Sequence, residues 1–160
     1  MHLYCMGHMQ KTPEPDRDTG AALDPAACNC LALRQAARHV TQHYERHMAA
    51  SGLSASQYSI LSKLARLGPQ SINALAAAMV MDRTTTGRAI RPLARDKLVA
   101  IDAGGDARVR LVRLTPAGEK RLKAAAVGWR AAQRDFERAY GGKDAAALRA
   151  ALARVVGLAL

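Results

Sequence analysis

Aromatic residues are scarce in this 160-residue chain: they make up 4% of it, with one Trp and one Phe. Proteins that hold RNA or single-stranded DNA stack bases on aromatic rings, so the shortage argues against such partners. Long apolar runs are missing too. No stretch reaches the length of a bilayer-spanning helix, and Met1 to Met9 lacks the basic start and continuous apolar core of a secretion signal. A cytoplasmic protein without a membrane partner is expected. Paired carboxylates, a Ser-His-Asp arrangement, a zinc quartet and a phosphate-binding loop are all lacking at usable spacings, which argues against an enzyme and implies no cofactor. No internal repeat is visible. Acidic residues are the minority sign: 13 Asp and Glu against 24 Lys and Arg leave a formal net charge of +11. That excess points to a polyanion, and duplex DNA is the natural one. A hydrophobic content of 49% supports a core, so the chain is one ordinary domain or two small coupled lobes.

Ser71 to Thr115 carries the strongest pattern. Ser71 stands at an N-cap position ahead of Ile72, Leu75, Ala76 and Met79, apolar residues at helical spacing. Asp82 then caps a second helix, Arg83 to Arg91, whose outward residues are hydroxyls and guanidiniums. The N-terminal end of a recognition helix is what enters the major groove, where Thr reaches phosphate or a base edge and Arg reaches guanine or phosphate. Arg83, Thr84, Thr85, Thr86 and Arg88 are therefore the leading DNA contacts, with Arg91 behind them, while Ile90, Leu93 and Ala94 pack inward. Two short strands follow, Leu98 to Ile101 and Val109 to Leu114, around a loop whose consecutive glycines, Gly104 and Gly105, suit a hairpin turn. An Arg at such a tip can enter a narrow minor groove, which adds Arg108 and Arg110 to the candidates. The segment from Asp82 to Arg113 carries +4 of the +11 total. The pattern is that of a winged helix-turn-helix.

In this order of elements the chain resembles the MarR family of bacterial transcriptional regulators, from roughly Cys28 to Leu160. The most specific piece is Asp106-Ala107-Arg108 followed by Val112-Arg113-Leu114-Thr115-Pro116-Ala117-Gly118. It is similar to the family's wing signature: Asp-x-Arg, a strand, then Leu-Thr-x-x-Gly opening a long helix. The resemblance implies that Arg108 lies at the wing and that Asp106 helps hold it. It also implies that the first and last helices of two subunits interleave, placing two recognition helices roughly 34 Å apart to read a palindrome. Two positions depart from the pattern. Lys97 stands where the family usually has Gly, so the left-handed turn that ends the helix carries a steric cost. Pro92 removes the N–H that would bond the carbonyl of Arg88, costing on the order of 3 kcal/mol in an ideal helix interior. The recognition helix is expected to kink at Arg91 or to end early.

Helical patterns flank this lobe. Asp24 opens one with Leu33, Ala37, Val40, Tyr44 and Met48 at three- and four-residue steps, stopping at Ser51-Gly52. Ser54 caps another that Gly68-Pro69 ends; Thr115-Pro116 begins a long one through Tyr140; Gly141-Gly142 breaks it before a last helix, Asp144 to Leu160. Leu148, Leu152, Val155, Val156, Leu158 and Leu160 give that last helix more apolar surface than one small lobe covers, and a homodimer is the simplest explanation. The expected organisation is a disordered leader over 1–22, a helical dimerisation region from 23–53 and 116–160, and a winged helix-turn-helix over 54–115. The fold class is mainly α with a small antiparallel β wing. The expected partners are a palindromic duplex operator, a second copy of the chain and a small-molecule inducer. Such a bound dimer occludes a promoter, so a repressor is favoured.

What would control binding is a separate question. The resemblance suggests an inducer between the helical stalk and the DNA lobe, for which Arg38, Tyr44, Tyr58 and Trp129 are candidate lining residues. Cys30 and Tyr44 also match the spacing of the family's organic-hydroperoxide-sensing branch, which makes thiol oxidation at Cys30 the alternative; Ala55 occupies that branch's second Tyr position. A sensor thiol needs access and a lowered pKa, which a helix start and Arg34 one turn on could supply, although a free Cys also serves as small apolar filler. His39, His43 and His47 form a four-residue ladder on one helix face, but nothing within the helix completes a metal site, and a solvated polar face is expected there. A third class is a helical interaction protein without DNA binding.

Overall fold

The computed structural model describes residues 27–104 and 110–159. The expected leader over 1–22 and most of the wing loop, including Asp106 and Arg108, lie outside the described residues. The chain divides into two compact units, 1–35 and 36–160. Cys28 precedes helix α1 (Asn29–Met48), which begins in the first unit and continues into the second, its carbonyl accepting from the N–H of Ala32 at 3.0 Å and its Sγ from that of Leu31 at 3.4 Å.

In the second unit, a 3-10 turn over Ala49–Ser51 closes α1. Ser54 and Gln57 then form a reciprocal capping box that starts α2 (Ala55–Leu67). Strand β1 (Gln70–Ser71) leads directly into α3 (Ile72–Met79), whose first turn is capped by the Ser71 hydroxyl, as its sequence predicts. Asp82 caps α4 (Arg83–Arg95), again as read from the sequence. Strands β2 (Val99–Ala103) and β3 (Arg110–Leu114) pair antiparallel, with Val99 opposite Leu114 and Ala103 opposite Arg110. Helices α5 (Pro116–Tyr140) and α6 (Gly142–Val156) complete the chain. The architecture is mainly helical with a small antiparallel sheet.

Three local features differ from the sequence reading. The sheet has three strands, in the order β1-β3-β2, because Gln70 and Ser71 pair with Val112 and Leu111. A two-residue strand squeezed between Gly68-Pro69 and a helix cap has no alternation to read. Helix α4 continues through Pro92 to Arg95, so the recognition helix does not end early. Buried Ile90 and Leu93 on either side of the proline anchor that stretch to the core, which offsets one missing backbone bond. Helix α6 stops at Val156 rather than Leu160, where the Gly157 N–H turns back on Ala153 and Arg154.

Lys97 does adopt the left-handed conformation, at φ 57°, and the turn it makes lets the Leu98 N–H reach the Leu93 carbonyl at 2.8 Å. Val80 does the same at φ 54° in the turn between α3 and α4. The core gathers Ile60, Leu61 and Leu64 of α2, Leu75 of α3, Ile90 and Leu93 of α4, Val99 and Val112 of the sheet, and Ala125 of α5. The helix-turn-helix, the sheet and the middle of α5 thus share one apolar interior.

Candidate nucleic-acid interface

Helix α4 is positioned by its cap and its buried face. Asp82 Oδ1 accepts the Thr85 N–H at 2.8 Å and its Oδ2 accepts the Thr85 hydroxyl at 2.5 Å. The Thr85 hydroxyl bond, then its backbone bond, hold the Asp82 carboxyl below the ordinary range. Thr86, Ile90 and Leu93 form the buried face. At about 100° per residue, Thr84, Arg88, Arg91 and Arg95 form a stripe on the opposite side, and all four are exposed. Arg83 is exposed in the first turn. The helix therefore presents a row of donors to solvent, fixed against the core from behind.

Thr86 must be corrected. It is 0% exposed, and its hydroxyl donates to the Asp82 carbonyl at 2.9 Å, so it supports the helix start and cannot reach a groove. The signal was in the sequence: Ile90 and Leu93, read as inward, stand four and seven residues on, which puts Thr86 on their face and Thr84 away from it. Arg95 is the residue the sequence reading missed. It completes the exposed stripe, with its Nε 3.0 Å from Oδ1 of Asp96.

On the wing, Arg110 is exposed at the start of β3. Arg113 of β3 pairs across the sheet with Asp102 of β2, an ion pair that sequence reading did not foresee. Thr115 and Gly118 join the wing to α5. The Thr115 hydroxyl lies 2.7 Å from the Lys97 carbonyl and 3.1 Å from the Leu98 carbonyl, and accepts the Gly118 N–H at 3.0 Å. A Cβ on Gly118 would stand 2.0 Å from the Leu98 carbonyl oxygen. The Leu-Thr-x-x-Gly spacing thus has a physical cause: the hydroxyl closes the end of β2, and only glycine admits the strand that close.

The candidate effector residues are partly brought together. Tyr44 and Tyr58 flank Trp129 with ring centroids 6.5 and 6.1 Å away, and the Tyr44 hydroxyl donates to Gln133 at 2.5 Å. Burial, followed by the Glu137 charge, raises the Tyr44 pKa. Arg38 is exposed six residues earlier on α1, about 120° around the helix from Tyr44, and does not join the cluster. A depression of about 430 Å³ lies elsewhere, between the end of α2, β3 and the start of α5, against Leu64, Arg113, Leu122 and Lys123. Cys30 is exposed in the first turn of α1.

The histidine ladder is also corrected. His39 is exposed, but His43 and His47 are half-buried and face α5, where His43 Nε2 lies 3.0 Å from the Ala132 carbonyl and His47 Nε2 2.9 Å from Asp135. The ladder is a packing seam rather than a solvated face. Among the described residues, no group of three or more His, Cys, Asp or Glu could hold a metal ion, and no helix is long and apolar enough to cross a membrane.

A capped helix pair, a basic outward stripe and an adjoining antiparallel wing define the class of winged helix-turn-helix transcriptional regulators. Known proteins specify it further. The MarR family model matches residues 53–100. The M. tuberculosis transcriptional regulator MosR, solved in complex with DNA, is 33% identical; the match covers 81% of this chain and 94% of that one, at a TM-score of 0.75. A probable transcriptional regulator from Pseudomonas aeruginosa is 27% identical over 82% of this chain and 99% of its own, also at 0.75. Bordetella bronchiseptica BpsR, whose DNA binding is regulated by 6-hydroxynicotinic acid, shares the fold at 23% identity, 81% and 94% coverage and a TM-score of 0.71. No curated protein sequence matches the chain. The chain belongs to the MarR family of transcriptional regulators.

Proposed function

We propose that the protein is a homodimeric, sequence-specific repressor that binds a palindromic duplex operator and is released from it by a small-molecule effector. The observation that carries this reading is the exposed row of Thr84, Arg88, Arg91 and Arg95 on α4, opposite a fully buried face. With Arg83 in the first turn, the row supplies donors for base edges and phosphates, and exposed Thr85, whose hydroxyl proton goes to Asp82, adds an acceptor; Arg110, with Asp106 and Arg108 of the wing signature, extends the set of proposed contacts. The MosR complex supports DNA as the partner. Residues 54–115 form the DNA-binding region in this reading, and 23–53 with 116–160 form the dimerisation region. Exposed Leu152, Val155, Val156 and Leu158 at the end of the chain support a second copy as their cover.

Selection of bound duplexes from a random pool tests the reading. A palindrome with half-sites about one helical turn apart is expected. An unenriched pool, or retention of duplex binding by Arg83→Ala/Arg88→Ala at moderate salt, sinks it in favour of a helical interaction protein. For control of binding, the Tyr44/Tyr58/Trp129 cluster supports a ligand as the effector. Oxidation at exposed Cys30 is the alternative, and peroxide release of DNA that is reversed by thiol and abolished by Cys30→Ser decides for it.

A further inference from the structure

His47 has both ring nitrogens aimed at oxygen atoms that only accept. Its Nδ1 lies 2.9 Å from the His43 carbonyl, and its Nε2 lies 2.9 Å from Oδ2 of Asp135 on α5. A neutral imidazole has one N–H, so it satisfies one of these oxygens and turns a lone pair toward the other. The imidazolium has two N–H groups and satisfies both. From this two-acceptor geometry we propose that His47 is a proton-operated clasp, which ties α1 to α5 when protonated and loosens that seam when it loses its proton.

The surroundings fit the role. The charged and titratable groups about His47 are His43 and Arg46 on its own helix and Asp135 on α5, with Arg138 held 3.2 Å from the other oxygen of Asp135. The His43 carbonyl and the Asp135 carboxylate raise the His47 pKa against the opposing effects of desolvation and Arg46. The Asp135 carboxyl is in turn held below its usual range, first by the His47 hydrogen bond. The rest of the seam is made by His43 against the Ala132 carbonyl, Tyr44 bonded to Gln133, and the His47 carbonyl where a Cβ on Gly128 would stand 2.2 Å away. That last contact brings the two backbones together at the very residue that titrates. A raised folded-state pKa means that the charge-assisted part of the clasp, beyond the one hydrogen bond a neutral ring still donates, is fully present below the ordinary histidine value of about 6.5 and is lost as pH rises through the folded value.

The test uses the full chain. Thermal melts from about pH 6 to about pH 8.5 bracket a histidine switch. Wild type is expected to lose roughly 2 °C or more of Tm over that range relative to His47→Gln. In parallel, NMR titration of the imidazoles should place the His47 midpoint above the ordinary value in wild type and return it toward about 6.5 in Asp135→Asn. Parallel melting profiles in wild type and His47→Gln, or a wild-type midpoint at or below the ordinary value, overturn the proposal. If His47→Gln does not fold, the wild-type and Asp135→Asn titrations decide by themselves.

Discussion

Gly118 is where single-residue chemistry decides whether the wing can sit on the rest of the protein. A methyl group there would meet the Leu98 carbonyl oxygen at 2.0 Å and Leu114 Cδ1 at 2.7 Å, and the first of these is backbone that cannot rotate aside. Gly118→Ala must therefore push α5 off the end of β2 and strain the Thr115 bridge. A destabilisation on the order of 2–3 kcal/mol is expected in urea unfolding, typical of overpacking at a tight site. A change within about 0.5 kcal/mol would mean that the strand and helix do not approach so closely. Val80 presents the opposite situation, a β-branched side chain held left-handed where a residue with a Cβ gives up roughly 1–2 kcal/mol. Val80 is 69% exposed, so burial does not repay that cost; the turn is held by the Met81 N–H bonded to the Ala76 carbonyl at 2.9 Å.

Helix α4 depends on an ionised cap, and this gives its stability a pH signature. Asp82 binds Thr85 through both oxygens, which lowers its folded pKa. A lowered carboxyl contributes stability above the unfolded value, near about 3.9, and the contribution fades as pH falls through the folded value. Asp82→Ala should therefore melt below wild type at neutral pH, and the gap should narrow in melts taken near pH 3. A gap that stays constant with pH would mean the cap does not act through its charge. This cap was legible in the sequence, as were the Ser54, Ser71 and Thr115 caps, because each is a local pattern of a small polar residue before an apolar period. Less legible was anything set by distant partners. Thr86 was overlooked although the phase set by Ile90 and Leu93 turns it inward, whereas His47 finds Asp135 88 positions away and β1 exists only because β3 lies beside it. At Pro92 the local rule argued for a kink or an early end, and with Ile90 and Leu93 packed on the core the helix runs past it to Arg95.

Across the whole molecule, the excess of positive charge and the apolar end of α6 are two halves of one prediction. Neutralising a phosphate releases counterions, so the slope of log K against log salt falls by about 0.9 for each phosphate of duplex DNA that a variant no longer neutralises. In a two-fold dimer every substitution is made twice. If Arg91 touches phosphate and the chain binds as a homodimer, Arg91→Ala should lower the slope by about 1.8; a chain that binds singly would show a fall of about 0.9. If Arg91 reads a base instead, the weakening should fall mainly on the selected palindrome and little on random duplex. Measuring binding at several salt concentrations, on both the selected site and a scrambled one, separates these outcomes in one series. Replacing Leu152 and Val156 with Lys on the exposed face of α6 supplies the control, since it leaves α4 untouched. That variant should weaken operator binding and bring the Arg91→Ala effect down to the single-chain value. A slope change near 0.9 already present in the wild-type background would mean that one chain reads the DNA alone, and the apolar end of α6 would then need another occupant.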